Sequence, residues 1–530
     1  VIREAKGRGG VRAGTAEDMA DTPTIGALAA RIGIDAGTFA PVPLAGITAD
    51  HRKVKPGFAF FALPGTKVDG QQFVAAAADA GAVVCFGAGA RPPTMALTSG
   101  YFRIDNPRRA LALAASVMHP AQPATIVAVT GTAGKTSVAD FARQIFAACG
   151  HRAASLGTLG VIGPEGAEYG ALTTPDPVTL HATIDDLARR GVTHLAMEAS
   201  SHGLDQARLD GVKLSAAAFT NLGRDHLDYH PTMEEYFKAK LRLFEVLLPT
   251  AKPAIINLDG DRGAEAAIAA AFAGHPVITV GRNAEDIQLL DLMPFGFGQK
   301  ITIWHAGKNY EIDLPLMGAF QVQNALVAAA LVLATGEKPK KVFAALGKLK
   351  GVPGRLEQVG VANGAPIFVD YAHKPEALEH ALAALRPGTT GRLVVVFGCG
   401  GDRDPGKRPI MGRIAHDRAD LVIVTDDNPR SETPSAIRAA ILAAAPGAIE
   451  IGDREAAIHE AVRHLQPGDA LLVAGKGHET GQIVGNETRP FSDHAVAAAA
   501  IAESLGAWAG KKPEADAKAS AKSGKGQPAA

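Results

Sequence analysis

The stretch from Thr125 to Gly150, TIVAVTGTAGKTSVADFARQIFAACG, constrains this chain more than any other. Ile126, Val127 and Val129 make a short β-branched run that ends in Gly131-Thr132-Ala133-Gly134, and apolar residues then recur at helical spacing at Val138, Phe141 and Ile145. The pattern predicts strand, loop and helix. Glycines let backbone amides converge on a phosphate, the positive end of the helix macrodipole points at it, Lys135 adds a full charge and Thr136 offers a hydroxyl to a magnesium ion. The loop therefore reads as a nucleotide triphosphate site. Without its flanks it would be a glycine-rich turn with an exposed lysine. The general phosphate-loop pattern asks for glycine five places before the Gly134-Lys135 pair, where this chain has Val129, so the motif here is the shorter Thr-Gly-Thr-x-Gly-Lys-Thr.

A chain of 530 residues is too long for one core and implies about three or four domains. The 54 basic and 54 acidic residues balance, so the total charge argues for neither nucleic acid nor a membrane surface as partner. Cys85, Cys149 and Cys399 are scattered, without zinc-ligand spacing, as in a chain kept reduced in the cytoplasm. No apolar run approaches the roughly 20 residues of a membrane helix. Residues 1–23 read as a disordered extension, and 509–530, made of Lys, Ala, Glu, Ser and Gly, as a disordered tail.

Three α/β domains are expected between these ends: a small one over 24–122, a central parallel-sheet domain over 123–351, and a doubly wound, Rossmann-like one over 352–508. In the central domain Leu172-Thr173-Thr174-Pro175, Glu198 to His202 and Thr220-Asn221 each place polar groups just after a short apolar strand. In a parallel sheet such ends share one edge, so Glu198 is expected to face the crevice of Lys135. Asp225-His226-Leu227-Asp228-Tyr229-His230 admits a zinc reading. Hard magnesium beside a triphosphate loop suits the carboxylates better, with His226 an atypical ligand. The third domain repeats the strand-end logic at Asp370 to His373, Gly398 to Asp404, Thr425 to Arg430 and Ala474 to Glu479. Gly398-Cys399-Gly400-Gly401 lacks the G-x-G-x-x-G spacing of a dinucleotide fingerprint, which argues against NAD.

These motifs, in this order over roughly residues 24 to 505, resemble those of the Mur ligases and their folylpolyglutamate-synthase relatives; Ala133 stands where the family usually has Asn. The resemblance implies an ATP site made of Gly131, Thr132, Ala133, Gly134, Lys135, Thr136 and Ser137, with Asn324 on the adenine and Arg355 and Asp370 also on the nucleotide. It implies magnesium held by Thr136, Glu198, His226 and Lys240, the lysine having reacted with carbon dioxide to give a carbamate (N6-carboxylysine), and it makes Lys135, Glu198, His226 and Lys240 the catalytic set. Ala49, His51, Thr66, Lys67 and Val68, with Leu172, Thr173, Thr174, Ser200, Gln206 and Arg208, would hold a UDP-MurNAc dipeptide. The family usually has Ser where His51 stands.

Asp427-Asn428-Pro429-Arg430 resembles the diaminopimelate-recognition motif found in one branch of these ligases, and Arg403, Gly475 and Glu479 would complete the pocket. The chemistry agrees: meso-diaminopimelate differs from lysine by a carboxylate, which an arginine fork pairs bidentately, and Glu479 suits the far ammonium. The expected activity is ATP-dependent amide formation in peptidoglycan precursor synthesis: UDP-MurNAc-L-Ala-D-Glu accepts meso-diaminopimelate through an acyl phosphate. A monomer is expected, with neither nucleic acid nor membrane insertion. Lysine as the incoming amino acid, a folylpolyglutamate-type ligase and a non-catalytic ATP switch are the competing readings.

Overall fold

The computed structural model describes residues 22–65, 68–96, 98–168, 173–226 and 229–509. The expectations for the N-terminal extension up to residue 21, for Thr66, Lys67, Leu172 and Asp228, and for the tail beyond 509 fall outside the described residues.

Short apolar runs near the N-terminus pair into a four-stranded, all-parallel sheet in the order β1 (Gly46–Thr48), β2 (Phe58–Ala62), β3 (Val84–Gly87), β4 (Gly100–Arg103). Phe61 and Phe86 stack in its core at 4.7 Å between ring centroids, with Ile25, Leu28 and Leu111 around them. Val178, from the helix Pro177–Arg189, packs against the same cluster.

The middle of the chain supplies β5 (Thr125–Thr130), β6 (Ala153–Gly157), β7 (Gly160–Gly163), β8 (Gly166–Glu168), β9 (His194–Glu198), β10 (Ala216–Phe219), β11 (Ala254–Asn257), β12 (Val277–Gly281), β13 (Ile287–Phe295), β14 (Gly298–His305) and β15 (Lys308–Leu314). They form one sheet in the order β15-β14-β13-β12-β11-β10-β5-β9-β6-β7-β8. The stretch β6-β9-β5-β10-β11-β12 is parallel throughout. Register puts Glu198 beside Val129 and Phe219 beside Thr130, so the segments that follow β5, β9 and β10 leave one edge of the sheet together. The helix after the glycine loop runs Lys135–Ala148 and buries Val138, Phe141 and Ile145, the three positions whose spacing predicts it. The alanine-rich helix Ala319–Leu333 is enclosed on every side in its middle: every residue from 325 to 332 is buried. Alanine, valine and leucine occupy all of its faces there, so none prefers water.

The last strands are β16 (Glu357–Ala362), β17 (Ala365–Asp370), β18 (Leu393–Phe397), β19 (Leu421–Val424), β20 (Ile449–Glu450) and β21 (Ala470–Ala474), in the order β16-β17-β21-β18-β19-β20, with a separate hairpin of β22 (Gly481–Val484) and β23 (Glu487–Pro490). All neighbours but β16 and β17 run parallel. Alternate side chains enter two cores: Phe368, Val395 and Leu472 on one face, Ile367, Val396 and Val473 on the other. Both faces are covered by helices, which is why these strands read as continuous apolar runs. Asp370, Phe397 and Ala474 lie level at the strand ends.

By internal contacts the chain forms two units. One holds the described residues up to Leu290 with Thr302–Ile312 and Gln323–Gly347; the other holds Asp291–Ile301, Asp313–Val322 and the described residues from Lys348 onward. The first sequence domain thus shares a unit with most of the second, joined by Val178 and by an ion pair of Arg109 with the buried Asp210 at 3.1 Å. No helix among the described residues is long and apolar enough to cross a membrane.

Candidate active site

In the first unit β5 delivers the glycine loop to the sheet edge. Gly131 has φ 147° and Gly134 φ 86°, conformations that glycine adopts without strain. A Cβ on Gly131 would lie 1.9 Å from Thr220 Oγ1, and one on Gly134 would lie 2.3 Å from Asn324 Oδ1. The loop is cross-braced: the Thr220 hydroxyl donates to Ala133 O at 2.7 Å, Ala133 N donates to Asn221 Oδ1 at 3.0 Å, and Gly223 N donates to Thr132 Oγ1 at 2.9 Å. No side chain caps the helix start at Gly134, which suits those amides to an anion. Lys135 folds back over the loop, donating to Gly131 O at 2.8 Å and Thr132 O at 3.0 Å.

Lys240 reaches the same loop from the helix Met233–Arg242. The residue is 1% exposed, and its amine donates to Gly131 O at 2.8 Å. Burial drives its pKa well below the ordinary lysine value, Lys135 pushes it the same way and Asp225 opposes. The neutral amine thus favoured is the form that attacks carbon dioxide. Tyr236, one turn earlier, lies with its ring 4.2 Å from the Lys240 nitrogen and its hydroxyl 3.1 Å from Thr132 Oγ1. Sequence reasoning missed this tyrosine, though its i, i+4 spacing from Lys240 was available.

Glu198, 2% exposed, ends β9 and accepts from Thr158 N at 2.7 Å and from the Thr158 hydroxyl at 3.3 Å. Thr158 was also missed, and forty residues of separation leave no sequence signal for it. A Cβ on Gly157 would lie 2.1 Å from Glu198 Oε1, so glycine there makes room for the carboxylate. His226 has φ 53° and is part-exposed; burial lowers its pKa, Asp225 raises it, and His202, Lys135 and Lys240 lower it, leaving a neutral ring with a free electron pair to offer. Among the described residues no three His, Cys, Asp or Glu side chains converge as a protein-only metal cage requires. The donors on hand are oxygen-rich, which fits magnesium completed by phosphate oxygens and water.

Beside this edge Thr173 and Thr158 share a hydroxyl hydrogen bond of 3.0 Å, and Ser200 Oγ donates to Thr174 Oγ1 at 3.0 Å. Arg208 donates to Thr174 O at 2.6 Å and to Gln206 Oε1 at 2.7 Å. Gln206 and Arg208 line a cleft of about 510 Å³ whose opposite wall comes from the N-terminal domain, including Ala49, Lys53 and Arg108. His51 is not among the lining residues: its ring stacks on Phe73 at 4.0 Å and 9°. Val68 is 51% exposed.

In the second unit the strand-end residues gather as follows. Asp370 takes Leu356 N at 2.5 Å; burial pushes its carboxyl up to about 6, against Arg355, whose guanidinium lies 5.0 Å from the Tyr371 ring. Asn428 Nδ2 donates to Glu479 Oε2 at 2.9 Å, and Arg430, at φ 52°, donates to Gly401 O at 2.8 Å. Asp427, Asn428 and Pro429 are buried and Arg403 is exposed. Gly475 has φ 122°, and a Cβ there would lie 3.5 Å from Asp427 Oδ2. Lys476, absent from the sequence-derived set, sits wholly buried among Asp427, Asn428 and Glu479.

A parallel sheet that delivers a braced glycine loop, with two lysines on one loop carbonyl, defines a phosphate-loop α/β protein. Comparison with known proteins narrows this. Family models match in three blocks: the Mur ligase family catalytic domain at 43–120, the Mur ligase middle domain at 129–332 and the Mur ligase glutamate ligase domain at 354–477. The chain is 59% identical over 471 residues to a Bradyrhizobium diazoefficiens protein, covering 87% of this chain and 96% of that one. It is 57% identical over 477 residues to one from Mesorhizobium japonicum, covering 90% and 98%. Both are named UDP-N-acetylmuramoyl-L-alanyl-D-glutamate--2,6-diaminopimelate ligase. A solved structure of a ligase of that name superposes with TM-score 0.69 at 32% identity, over 91% of this chain and 99% of that one. The chain belongs to the Mur ligase family.

Proposed function

We propose that this protein is an ATP-dependent ligase that joins meso-diaminopimelate to the D-glutamate side-chain carboxyl of UDP-MurNAc-L-Ala-D-Glu. The observation that carries the reading is the 59% identity to a ligase of that name over 96% of its length. The site's chemistry agrees with it. A carboxylate resists an amine, so ATP first converts it to an acyl phosphate. The loop amides and Lys135, turned from its two loop carbonyls toward the γ-phosphate, stabilise the charge that develops. Thr136, Glu198, His226 and Lys240 as its carbamate would hold magnesium, which supplies charge neutralisation at the phosphates. Asn324, Arg355 and Asp370 take the nucleotide. Thr173, Thr174, Ser200, Gln206 and Arg208 take the acceptor, whose uridine end lies toward Ala49 in the cleft. Arg430 and Arg403 take the distal carboxylate of the amino acid, and Asp427, Asn428 and Glu479 its ammonium, against the backbone of Pro429 and Gly475. The amine attacks the acyl phosphate, phosphate leaves from the tetrahedral intermediate, and an amide remains. We place the activity in the cytoplasm, in a monomer, with domain boundaries near 122 and 351.

The test is purified protein with ATP, the muramoyl dipeptide and either meso-diaminopimelate or lysine, scored for phosphate and product mass. One phosphate per diaminopimelate-containing tripeptide is expected. ATP binding without phosphate release, or turnover that prefers lysine, would overturn the assignment.

A further inference from the structure

Lys476 lies between two glycines with positive φ, Gly475 at 122° and Gly477 at 54°, a backbone path that turns its side chain inward. Its amine is 0% exposed and has three acceptors around it: Glu479 Oε2 at 3.0 Å, Asn428 Oδ1 at 3.1 Å and Asp427 Oδ1 at 3.6 Å. A lysine sealed from water is tolerated only when its charge is matched. The match also works in reverse. Asp427 is 6% exposed and its Oδ1 accepts no hydrogen bond among the described residues, and Glu479 stands beside it; with no cation between them the two carboxylates would repel in a dry site. The nearby Arg454 does not fill that role, because Asp493 already holds it through two bonds of 2.7 and 2.8 Å.

The hydrogen bonds show a second effect. Asn428 Oδ1 accepts from Lys476 and from Ile483 N at 2.9 Å, which fixes the amide with its NH2 toward Glu479. Both of those donors, Lys476 Nζ and Asn428 Nδ2, land on Glu479 Oε2. Glu479 Oε1 is left with no partner among the described residues and can receive a ligand's ammonium.

Resting on the ligase reading above, we infer that Lys476 is a positioning residue that sets amino-acid specificity by charge balance. Asp427, Glu479 and Lys476 together present one net negative charge, which one distal ammonium neutralises, while Arg430 and Arg403 remain to be matched by a distal carboxylate. An amino acid ending in both groups sets its ammonium on the net negative acidic cluster and its carboxylate between the two arginines; one ending in an ammonium alone brings the arginines no anion. Deleting the Lys476 charge makes the pocket more negative and penalises the carboxylate-bearing ligand. Deleting the Asp427 charge does the opposite.

The experiment compares kcat/KM for meso-diaminopimelate and for lysine in the full-length protein, in wild type, Lys476→Met and Asp427→Asn. Lys476→Met is expected to lower the diaminopimelate-to-lysine ratio at least tenfold and Asp427→Asn to raise it at least threefold. KM for ATP and for the acceptor should stay within twofold and the change should fall mainly in amino-acid KM. A ratio that stays put in either variant, or moves the same way in both, overturns the inference, as does an equal shift in KM for ATP. Should Lys476→Met not fold, the Asp427→Asn ratio alone decides. A wild type that uses neither amino acid would instead sink the ligase reading, so the two failures are distinguishable.

Discussion

Among the described residues of the second unit, Arg454 and Asp493 form the most deeply enclosed ion pair, both side chains 0% exposed, with bonds of 2.7 and 2.8 Å. Consider Arg454→Met, which keeps an unbranched apolar stem but removes the guanidinium and its charge. The Asp493 carboxylate is then buried without its partner, and breaking a buried pair from one side costs about 3–5 kcal/mol. Asp493 begins the helix Asp493–Ala509, whose amino end favours an anion, so the low end of that range applies. The same guanidinium also donates to Ala474 O at 3.0 Å, and stranding that carbonyl adds about 1–2 kcal/mol. The sum, about 4–6 kcal/mol, is a large part of the 5–15 kcal/mol typical of a folded domain.

Replacing both partners with apolar residues removes the stranded charge, and such exchanges are often neutral or stabilising. Arg454→Met combined with Asp493→Leu should therefore recover most of the loss, leaving about 1–2 kcal/mol for the Ala474 carbonyl. Urea unfolding followed by circular dichroism gives the four corners of the cycle. Because Ala474 precedes Gly475, both variants should also raise the KM for the amino acid and leave that for ATP alone. Additive single losses, with the double variant worse than either, would refute the account, since the energy would then come from packing.

Three further outcomes are expected. Gly131→Ala places a Cβ 1.9 Å from Thr220 Oγ1 at φ 147°, and strain plus the lost Thr220 hydrogen bond should destabilise by about 2–4 kcal/mol and weaken ATP binding at least tenfold; a wild-type ATP titration would count against the loop geometry. Arg430→Ala removes a charge-assisted contact of about 1.5–3 kcal/mol and should raise amino-acid KM roughly ten- to hundredfold with ATP affinity unchanged; unaltered amino-acid kinetics would refute its place in the pocket. Burial pulls the His494 ring down, but its 2.5 Å bond to Glu357 outweighs this and the net pKa is raised, so the pair's stabilisation is complete below the unfolded value of about 6.5 and is lost as pH rises through the folded one. The stability gap between wild type and Glu357→Gln should accordingly be full below about pH 6.5 and shrink as the pH rises above it; a gap that is flat with pH would sink it.

What could be read from the sequence follows from range. Strand, glycine loop and helix are adjacent in sequence, so Ile126 to Ile145 states its own conformation, and four apolar runs each followed by polar residues are enough to specify the doubly wound sheet at 365–474. The edge shared by Glu198 and the glycine loop was also accessible, because parallel strands fix it whatever lies between them, and the register of Glu198 beside Val129 is that rule at work.

The omissions have a common cause. Thr158, Tyr236 and Lys476 each act by holding another polar group, and a holder is recognised only by what it touches. Thr158 follows a strand like many threonines, and Tyr236 is an aromatic residue on an amphipathic helix. Lys476, in a Gly-Lys-Gly turn, has the composition of an exposed loop but is closed off entirely. Composition suggests solvent for such a lysine because an isolated buried ammonium is prohibitively unfavourable. The acceptors that reverse this judgement, Asp427 and Asn428, are some fifty residues away along the chain and arrive by way of β19 beside β18 and β18 beside β21. The sheet order therefore decides whether Lys476 is a surface charge or the counter-ion of a specificity pocket, and any substitution that shifts that register should change amino-acid selectivity before it changes ATP binding.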